Sequence, residues 1–435
     1  MVRPIFSMTR RSFHVAVASL PAYALAHGLG SGIANAAKNN ASGTAANDWP
    51  QWRGPSRDGK VSGVDWPETL QGERLRQKWR IELGPSYSGP IVAADRIFTT
   101  ETVDKKREVV KAIDRATGRE LWAVSWDGAI SVPFFAKSNG DWIRSTPAYD
   151  GERLFVGGIR DVLVCLSAAD GRELWRRDFV AELKSTVPAF GFVCSPLVVD
   201  GAVYVQAAGG FLKLEAATGK VLWKSLEDGG GMFGSAFSSP VLVEVAGRPQ
   251  LVVQTREQLA GVDHNTGEVL WSEKIPAFRG MNILTPTLHE GRFVTSAYGG
   301  KSSAYAIESK DGKFAVSAAW ENKTQGYMST PVIIDGHAYL HLRNQRFTCI
   351  DLASGEIKWT TPKTFGKYWS LVANKNRILA LDERGDLLLI EASPAEFKLI
   401  DQRHISDEET WAHLAVSGQQ LAVRELKALS LYDWA

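Results

Sequence analysis

The chain has 435 residues, 44% of them hydrophobic and 23% charged, with 15 Trp, 40 Gly and 3 Cys. That composition is globular and excludes a mostly disordered, collagenous or disulfide-scaffolded chain, so stability has to come from a buried core. The first 36 residues hold Arg3, Arg10 and Arg11 and no acid; without them the remainder is acidic by one charge, and no basic surface is left to recruit nucleic acid.

Residues 1–36 read as an export address. Thr9-Arg10-Arg11-Ser12-Phe13 precedes a modest apolar stretch from Val15 to about Leu29, and Ala34-Asn35-Ala36 offers small residues for cleavage. The pattern resembles a twin-arginine (Tat) signal, with His14 and Val15 standing where Leu-Lys is usual. It implies a periplasmic or secreted protein. No Cys follows the apolar stretch to carry a lipid anchor, and no later apolar run is long enough for a transmembrane helix in the mature chain. Residues 37–77 read as a flexible linker of small polar residues, then a Trp/Pro-rich strap (Asp48-Trp49-Pro50-Gln51-Trp52-Arg53-Gly54-Pro55) expected to dock in extended form on the domain.

From residue 78 the sequence repeats itself. Ala112, Asp114, Thr117-Gly118 and Trp122 define A-x-D-x-x-T-G-x-x-x-W. The pattern returns around Gly171 and Trp175, Gly219 and Trp223, Gly267 and Trp271, and Gly355 and Trp359. A looser copy around Asp311-Gly312 has its Trp displaced to Trp320. Ahead of each copy stands a proline-led run of alternating apolar residues, starting at Pro90, Pro147, Pro196, Pro240, Pro286 and Pro331. Two degenerate starts follow, near Ser370-Leu371 and Ala412-His413, which makes eight units of roughly 40–57 residues. Each unit reads as four strands, A to D, with Asp-Gly and Thr-Gly turns between them. The expected fold is all-β: an eight-bladed β-propeller of four-stranded blades over residues 78–435. The last unit has no chain left for strand D, while Lys78–Leu83 is a surplus D-type strand at the start. That N-terminal strand is expected to close the ring. Trp79, Trp122, Trp175, Trp223, Trp271, Trp320 and Trp359 sit at strand-D positions and are expected to dock blade on blade.

The repeat resembles the tryptophan-docking motif of PQQ-like eight-bladed propellers. That superfamily includes quinoprotein alcohol dehydrogenases and the outer-membrane assembly factor BamB. The D-W-P-x-x-R-G-P opening is similar to that of secreted PQQ-like repeat proteins. The resemblance covers nearly the whole chain after the leader and speaks to fold more than to function. A quinoprotein dehydrogenase implies PQQ, a calcium ion, a vicinal Cys-Cys and carboxylate or amide ligands. This sequence has no Cys-Cys and no Asp-x-Asp, so no catalytic residue or metal ligand carries over and no cofactor is expected. The scaffold members imply an envelope protein as partner. The expected function is therefore a non-catalytic binding or assembly scaffold in the cell envelope, monomeric. A PQQ-dependent oxidoreductase or a polysaccharide-recognition protein is the alternative.

Other motifs lead nowhere. Residues 229–234 spell G-x-G-x-x-G, but a strand rather than a helix follows. Gly300-Lys301-Ser302 lacks the first Gly of a phosphate-binding loop. His337 and His341 have helical metal-ligand spacing, yet on a strand they stand about 13 Å apart. Cys165, Cys194 and Cys349 read as packing residues.

A ligand or partner site belongs where the D-to-A loops converge near the axis. There the sequence carries Tyr87, Trp142, Arg144, Phe190, Phe192, Phe233, Phe237, Arg279, Asn282, Tyr327, Tyr368, Trp369, Trp411 and His413. Aromatics with arginine suit a flat ligand, a sugar or a peptide. The long Ser125–Trp142 stretch, with Trp126, Phe134 and Phe135, is expected to be the largest exposed apolar excursion.

Overall fold

The computed structural model describes residues 48–63, 65–228 and 236–434. The twin-arginine segment, its cleavage site, the start of the linker, and residues 229–234 with Phe233 lie outside the described residues. Eight antiparallel four-stranded sheets form the blades. Seven are continuous in sequence, and we number them 1 to 7: 91–127, 148–178, 197–225, 241–274, 287–322, 332–360 and 369–404. Blade 8 takes three strands from 415–434 and its outer strand from Leu75–Glu82, which pairs antiparallel with Ala428–Trp434 and closes the ring. This strand begins three residues ahead of the expected boundary at 78. Among the described residues α-helix is confined to Phe179–Leu183, and no helix is long and apolar enough to cross a membrane.

The repeated residues build the turn between strands C and D. Asp114 Oδ1 accepts from both Thr117 N (2.8 Å) and Thr117 Oγ1 (2.7 Å). Asp263 with Thr266 and Asp351 with Ser354 repeat the arrangement. In every blade the C–D pairing then slips by one residue, a β-bulge. In blade 1 the skipped residue is Leu121, which is left on the surface, and Trp122 is re-aimed at blade 2. Its indole lies over Gly171, where a Cβ would come within 2.6 Å, and its Nε1 donates to Ala168 O at 3.2 Å. Trp79, Trp175, Trp320 and Trp359 donate in the same way to Arg115 O, Ala216 O, Leu352 O and Ser393 O of the following blade. Trp223 packs on Gly267 without that bond.

Trp271 docks on blade 5 as expected, its ring centroid 5.7 Å from that of Phe293, but its indole N–H takes a different partner. Its Nε1 donates to Gln250 Oε1 (2.7 Å) inside its own blade, beside Gly261. The cause is the loose fifth repeat. There strands Ser302–Lys310 and Lys313–Asn322 run on into a long hairpin, and Gly312 at its tip has no neighbour for a Cβ to meet. The turn that should receive the indole N–H has moved outward.

Blade 7 has no docking Trp, and the C–D turn of blade 8 is not covalent. The strap fills that joint. Trp66 packs on Trp434 (centroids 5.9 Å), and Leu70 is buried. Asp401 accepts from Thr69 Oγ1, Leu70 N and Gln71 Nε2. Burial pushes the Asp401 carboxyl up, but these donors outweigh it and hold the group at about 2.

The start of the strap does not dock in extended form. Trp49 pairs with Val92 of blade 1, but residues 51–59 fold into turns and bends at the axis. Arg57 donates to Ser195 O and Pro196 O of blade 3 (2.9 and 2.7 Å), and Arg53 to Thr330 O and Pro331 O of blade 6 (both 2.7 Å). Tyr149 N donates to Pro50 O, Val61 N to Ala373 O, and Trp52 meets the His413 ring edge-on. The strap thereby binds the inner strands of blades 1, 2, 3, 6, 7 and 8 to one another across the channel.

The Ser/Thr before each strand A has a purpose beyond starting the strand. Gly89 N donates to Thr146 Oγ1, Thr146 N to Ser195 Oγ, Ser195 N to Ser239 Oγ, Ser239 N to Thr285 Oγ1, and Thr285 N to Thr330 Oγ1. Blades 1 to 6 are thus hydrogen-bonded each to the next around the axis. On the far side the sense reverses: Trp369 N donates to Ser329 Oγ and Leu414 N to Ser370 Oγ. All three cysteines are buried and free.

Candidate functional site

The hydroxyl ring fixes which loop residues face the axis. In an extended chain side chains alternate, so the residue two before each ring position shares one direction. Counted back from Gly89, Thr146, Ser195, Ser239, Thr285, Thr330, Ser370 and His413, those residues are Tyr87, Arg144, Val193, Phe237, Ile283, Met328, Tyr368 and Trp411. All eight line one cup of about 200 Å³ at the axis. Phe190, Met281 and Tyr327 complete its wall.

The wall is largely aromatic. Tyr368 stacks on Trp411 (5.9 Å, planes 15° apart), and Trp411 packs on Tyr87 at 5.9 Å. Phe190 meets Phe237 at 5.7 Å. The Arg144 guanidinium lies 5.5 Å from the Tyr87 ring centroid, a cation–π contact, and donates to Gly140 O. Burial lowers Arg144 to about 10, so it stays a cation at neutral pH. Burial also raises the Tyr87 hydroxyl to about 12, against the pull of Arg144, so it stays a neutral phenol. Trp411 Nε1 is turned to Glu409 Oε2 at 2.8 Å.

The strap is anchored on carbonyls next to the cup. The ring carbonyls that hold Arg53 and Arg57 come two or three residues after cup residues Val193 and Met328. Desolvation lowers both arginines to about 10, and both remain charged.

Of the residues singled out in the sequence, Tyr87, Arg144, Phe190, Phe237, Tyr327, Tyr368 and Trp411 are brought together in the cup. The others are not. Phe192 packs into the core between blades 2 and 3. Trp369 is buried against His341 and donates to Asp382 Oδ2. Asn282 is buried and ties its own loop through Thr255 O, Arg256 O and Ile275 O. His413 is buried against Trp52, on the strap side. Trp142 is half-buried and packs over Gly140. Arg279 is exposed, its guanidinium over the Phe278 ring at 5.0 Å. Trp126 is also corrected: it is buried and donates to Glu108 Oε2 (2.7 Å), so the exposed excursion reduces to the neighbourhood of Phe134, 84% exposed. Sequence reasoning missed Val193, Ile283 and Met328, because it looked for aromatics rather than for a fixed offset from the ring position, and it missed Met281 for the same preference.

The eight offset positions supply one cation, seven apolar or aromatic side chains and no carboxylate. Calcium takes six to eight oxygen ligands. The donor set of this cup does not fit a calcium-held quinone. Among the described residues no group of three or more His, Cys, Asp or Glu could hold a metal.

Residues 106–361, more than half of the chain, match the PQQ_2 family, outer membrane protein assembly factor BamB. BamB of Yersinia pestis is 22% identical over 312 residues, 71% of this chain; the match spans 63% of that protein's length. Among solved structures, BamB from Moraxella catarrhalis superposes with a TM-score of 0.59 at 14% identity, over 82% of this chain and 97% of that one. Quinohemoprotein alcohol dehydrogenase from Comamonas testosteroni gives 0.62 at 14% identity, over 91% and 82%. At such identities the structural likeness speaks for the fold alone. The family match speaks for descent: the chain belongs to the BamB-type family of PQQ-like eight-bladed β-propellers.

Proposed function

We propose that this protein is an exported, non-catalytic binding or assembly scaffold of the cell envelope, and that its central cup takes an apolar side chain of a protein partner. The observation that carries this reading is the composition of the eight offset positions: adaptable apolar and aromatic walls, one arginine, and no acid or base placed for chemistry. Such pockets serve as hot-spot acceptors at interfaces, where a buried aromatic or aliphatic anchor supplies most of the binding free energy. Two methionines in the wall let the cup adapt to different anchors. The distant kinship with BamB favours an envelope partner.

A photo-crosslinking residue placed at Met328 in the cup is expected to capture a defined envelope protein in intact cells, identified by mass spectrometry. The same residue at Leu222, exposed on an outer strand, is expected not to. Calorimetric titration of the purified protein with PQQ, with and without calcium, addresses the competing dehydrogenase reading. Metal-dependent micromolar binding, about −8 kcal/mol, would overturn the scaffold. Export by the twin-arginine route is tested by replacing Arg10 and Arg11 with Lys, which is expected to leave the protein in the cytoplasm.

A further inference from the structure

Outside the cup, blades 5 and 6 carry a second recessed sector. Two open clefts of about 400 and 500 Å³ share one residue, Arg343. One contains Phe278 and Tyr298, the other Lys323 and Ile357. No carboxylate lines either. The Arg343 guanidinium lies 4.5 Å from the Tyr298 ring centroid, and its Nη1 donates to Gln325 Oε1. Among the described residues neither Arg343 nor Lys323 has an ion pair, whereas Lys301 on the same long hairpin is paired with Glu321. Tyr298 packs on Tyr327 with the rings tilted by 32° (centroids 4.9 Å), and Tyr327 is a wall of the cup. The sector is therefore cationic, aromatic and continuous with the cup.

It is also rigidly built. Phe278 N donates to Tyr298 O (2.8 Å), and a Cβ on Gly299 would meet Phe278 Cβ at 2.9 Å, so the two loops are in direct contact. Ile357 and Thr360 belong to the outer strand of blade 6, Ile357–Thr360, whose far edge pairs with nothing in its sheet. An open strand edge offers backbone donors and acceptors to an extended chain.

We propose that this sector is the docking groove for an extended acidic segment of the protein partner. The segment's carboxylates lie on Arg343 and Lys323, and its backbone lies along the edge of Ile357–Thr360. The inference rests on the reading of the protein as a scaffold for a protein partner. Charge complementarity selects an anion, and the free strand edge favours a peptide over a glycan, which has no amide ladder to offer.

The test uses the purified full chain and a fluorescein-labelled peptide of eight residues alternating Glu with Val or Thr, followed by fluorescence anisotropy. Saturable binding is expected, weakened at high salt, and weakened about tenfold or more in the double variant Lys323→Glu, Arg343→Glu. A matching melting temperature shows that this variant is folded; should it not be, the single change Arg343→Gln, at an exposed side chain, takes its place. The peptide with Lys in place of Glu is expected not to bind. Equal binding of both peptides, no binding of the acidic one, or indifference to the charge reversal would overturn the proposal. So would displacement of the peptide by alginate at lower concentration than by unlabelled peptide, which would make this a glycan site. If Met328 still captures a partner while charge reversal changes nothing, the groove fails and the cup stands. Charge-dependent peptide binding without capture at Met328 fails the cup alone.

Discussion

Single atoms decide several of these joints. Gly171 has φ +76°, a left-handed conformation that strains any residue with a Cβ, and the Trp122 ring occupies the place of that Cβ. Gly171→Ala is therefore expected to destabilise the protein by about 2–4 kcal/mol, the sum of backbone strain and overpacking, measured by urea unfolding followed by Trp fluorescence. Buried titratable groups set a pH profile. Burial raises Glu108 to about 7, against the Ile159 N and Trp126 Nε1 donors, and raises Asp161 to about 6. A carboxyl whose folded pKa exceeds its unfolded value stabilises the protein at low pH, and that contribution is lost as pH rises through 6 to 7. His341 and His413 act in the opposite sense. Burial lowers them to about 4 and about 3, so they stabilise above their unfolded value of 6.5 and the contribution is lost as pH falls. The melting temperature is expected to peak at about pH 6, and Glu108→Leu is expected to move the peak to higher pH. A peak that does not move would show that Glu108 is ionised in the folded state.

At the scale of elements, the strap acts as a cross-brace. Arg57→Ala removes charged hydrogen bonds to two carbonyls of blade 3 and is expected to cost about 3 kcal/mol. An exposed arginine such as Arg76 changed to Ala is expected to cost under about 0.5 kcal/mol, by the same urea titration. The blades themselves were legible in the sequence, because Pro, Asp-x-x-Thr-Gly and Trp are local instructions: each acts on the turn or strand that contains it. The strap was misread because nothing local tells an extended Trp/Pro segment to fold into turns; its arginines answer carbonyls about 140 and 280 residues away. Trp271 docks on Phe293 of the next blade, yet the within-blade partner of its indole N–H was not legible for a related reason. Its own repeat is regular, and the fault lies in the next one, where a longer hairpin takes the receiving turn away. Half of the candidate site was legible as residue type, but the cup is defined by an offset of two from a ring position that is Ser or Thr in six blades and Gly89 or His413 in the other two. That rule becomes visible only when the hydroxyls are seen bonding around the ring.

At the scale of the molecule, closure is non-covalent. Strand Leu75–Glu82 holds blade 8, and Trp79 on it docks into blade 1 at Arg115 O. A chain that begins at residue 83 is expected to expose the edge of Ala428–Trp434 and to aggregate, as unprotected edges do. A synthetic peptide covering 48–82 is expected to restore a monodisperse species in size-exclusion chromatography, because it carries both the missing strand and the channel brace. Failure of the peptide to rescue would mean that closure depends on covalent continuity.

The same closure has a consequence in time. The ribosome releases strand Leu75–Glu82 long before its partner Ala428–Trp434, with nearly 350 residues of chain still to be made. At about 5–20 residues per second that delay is roughly 17–70 s. Throughout it Trp52 and Trp66, whose ring partners His413 and Trp434 come at the end of the chain, together with an unpaired strand, have no native site to occupy. The beginning of the chain is thus the part in greatest need of a chaperone, and slowing translation is expected to lower the yield of folded protein by lengthening that exposure.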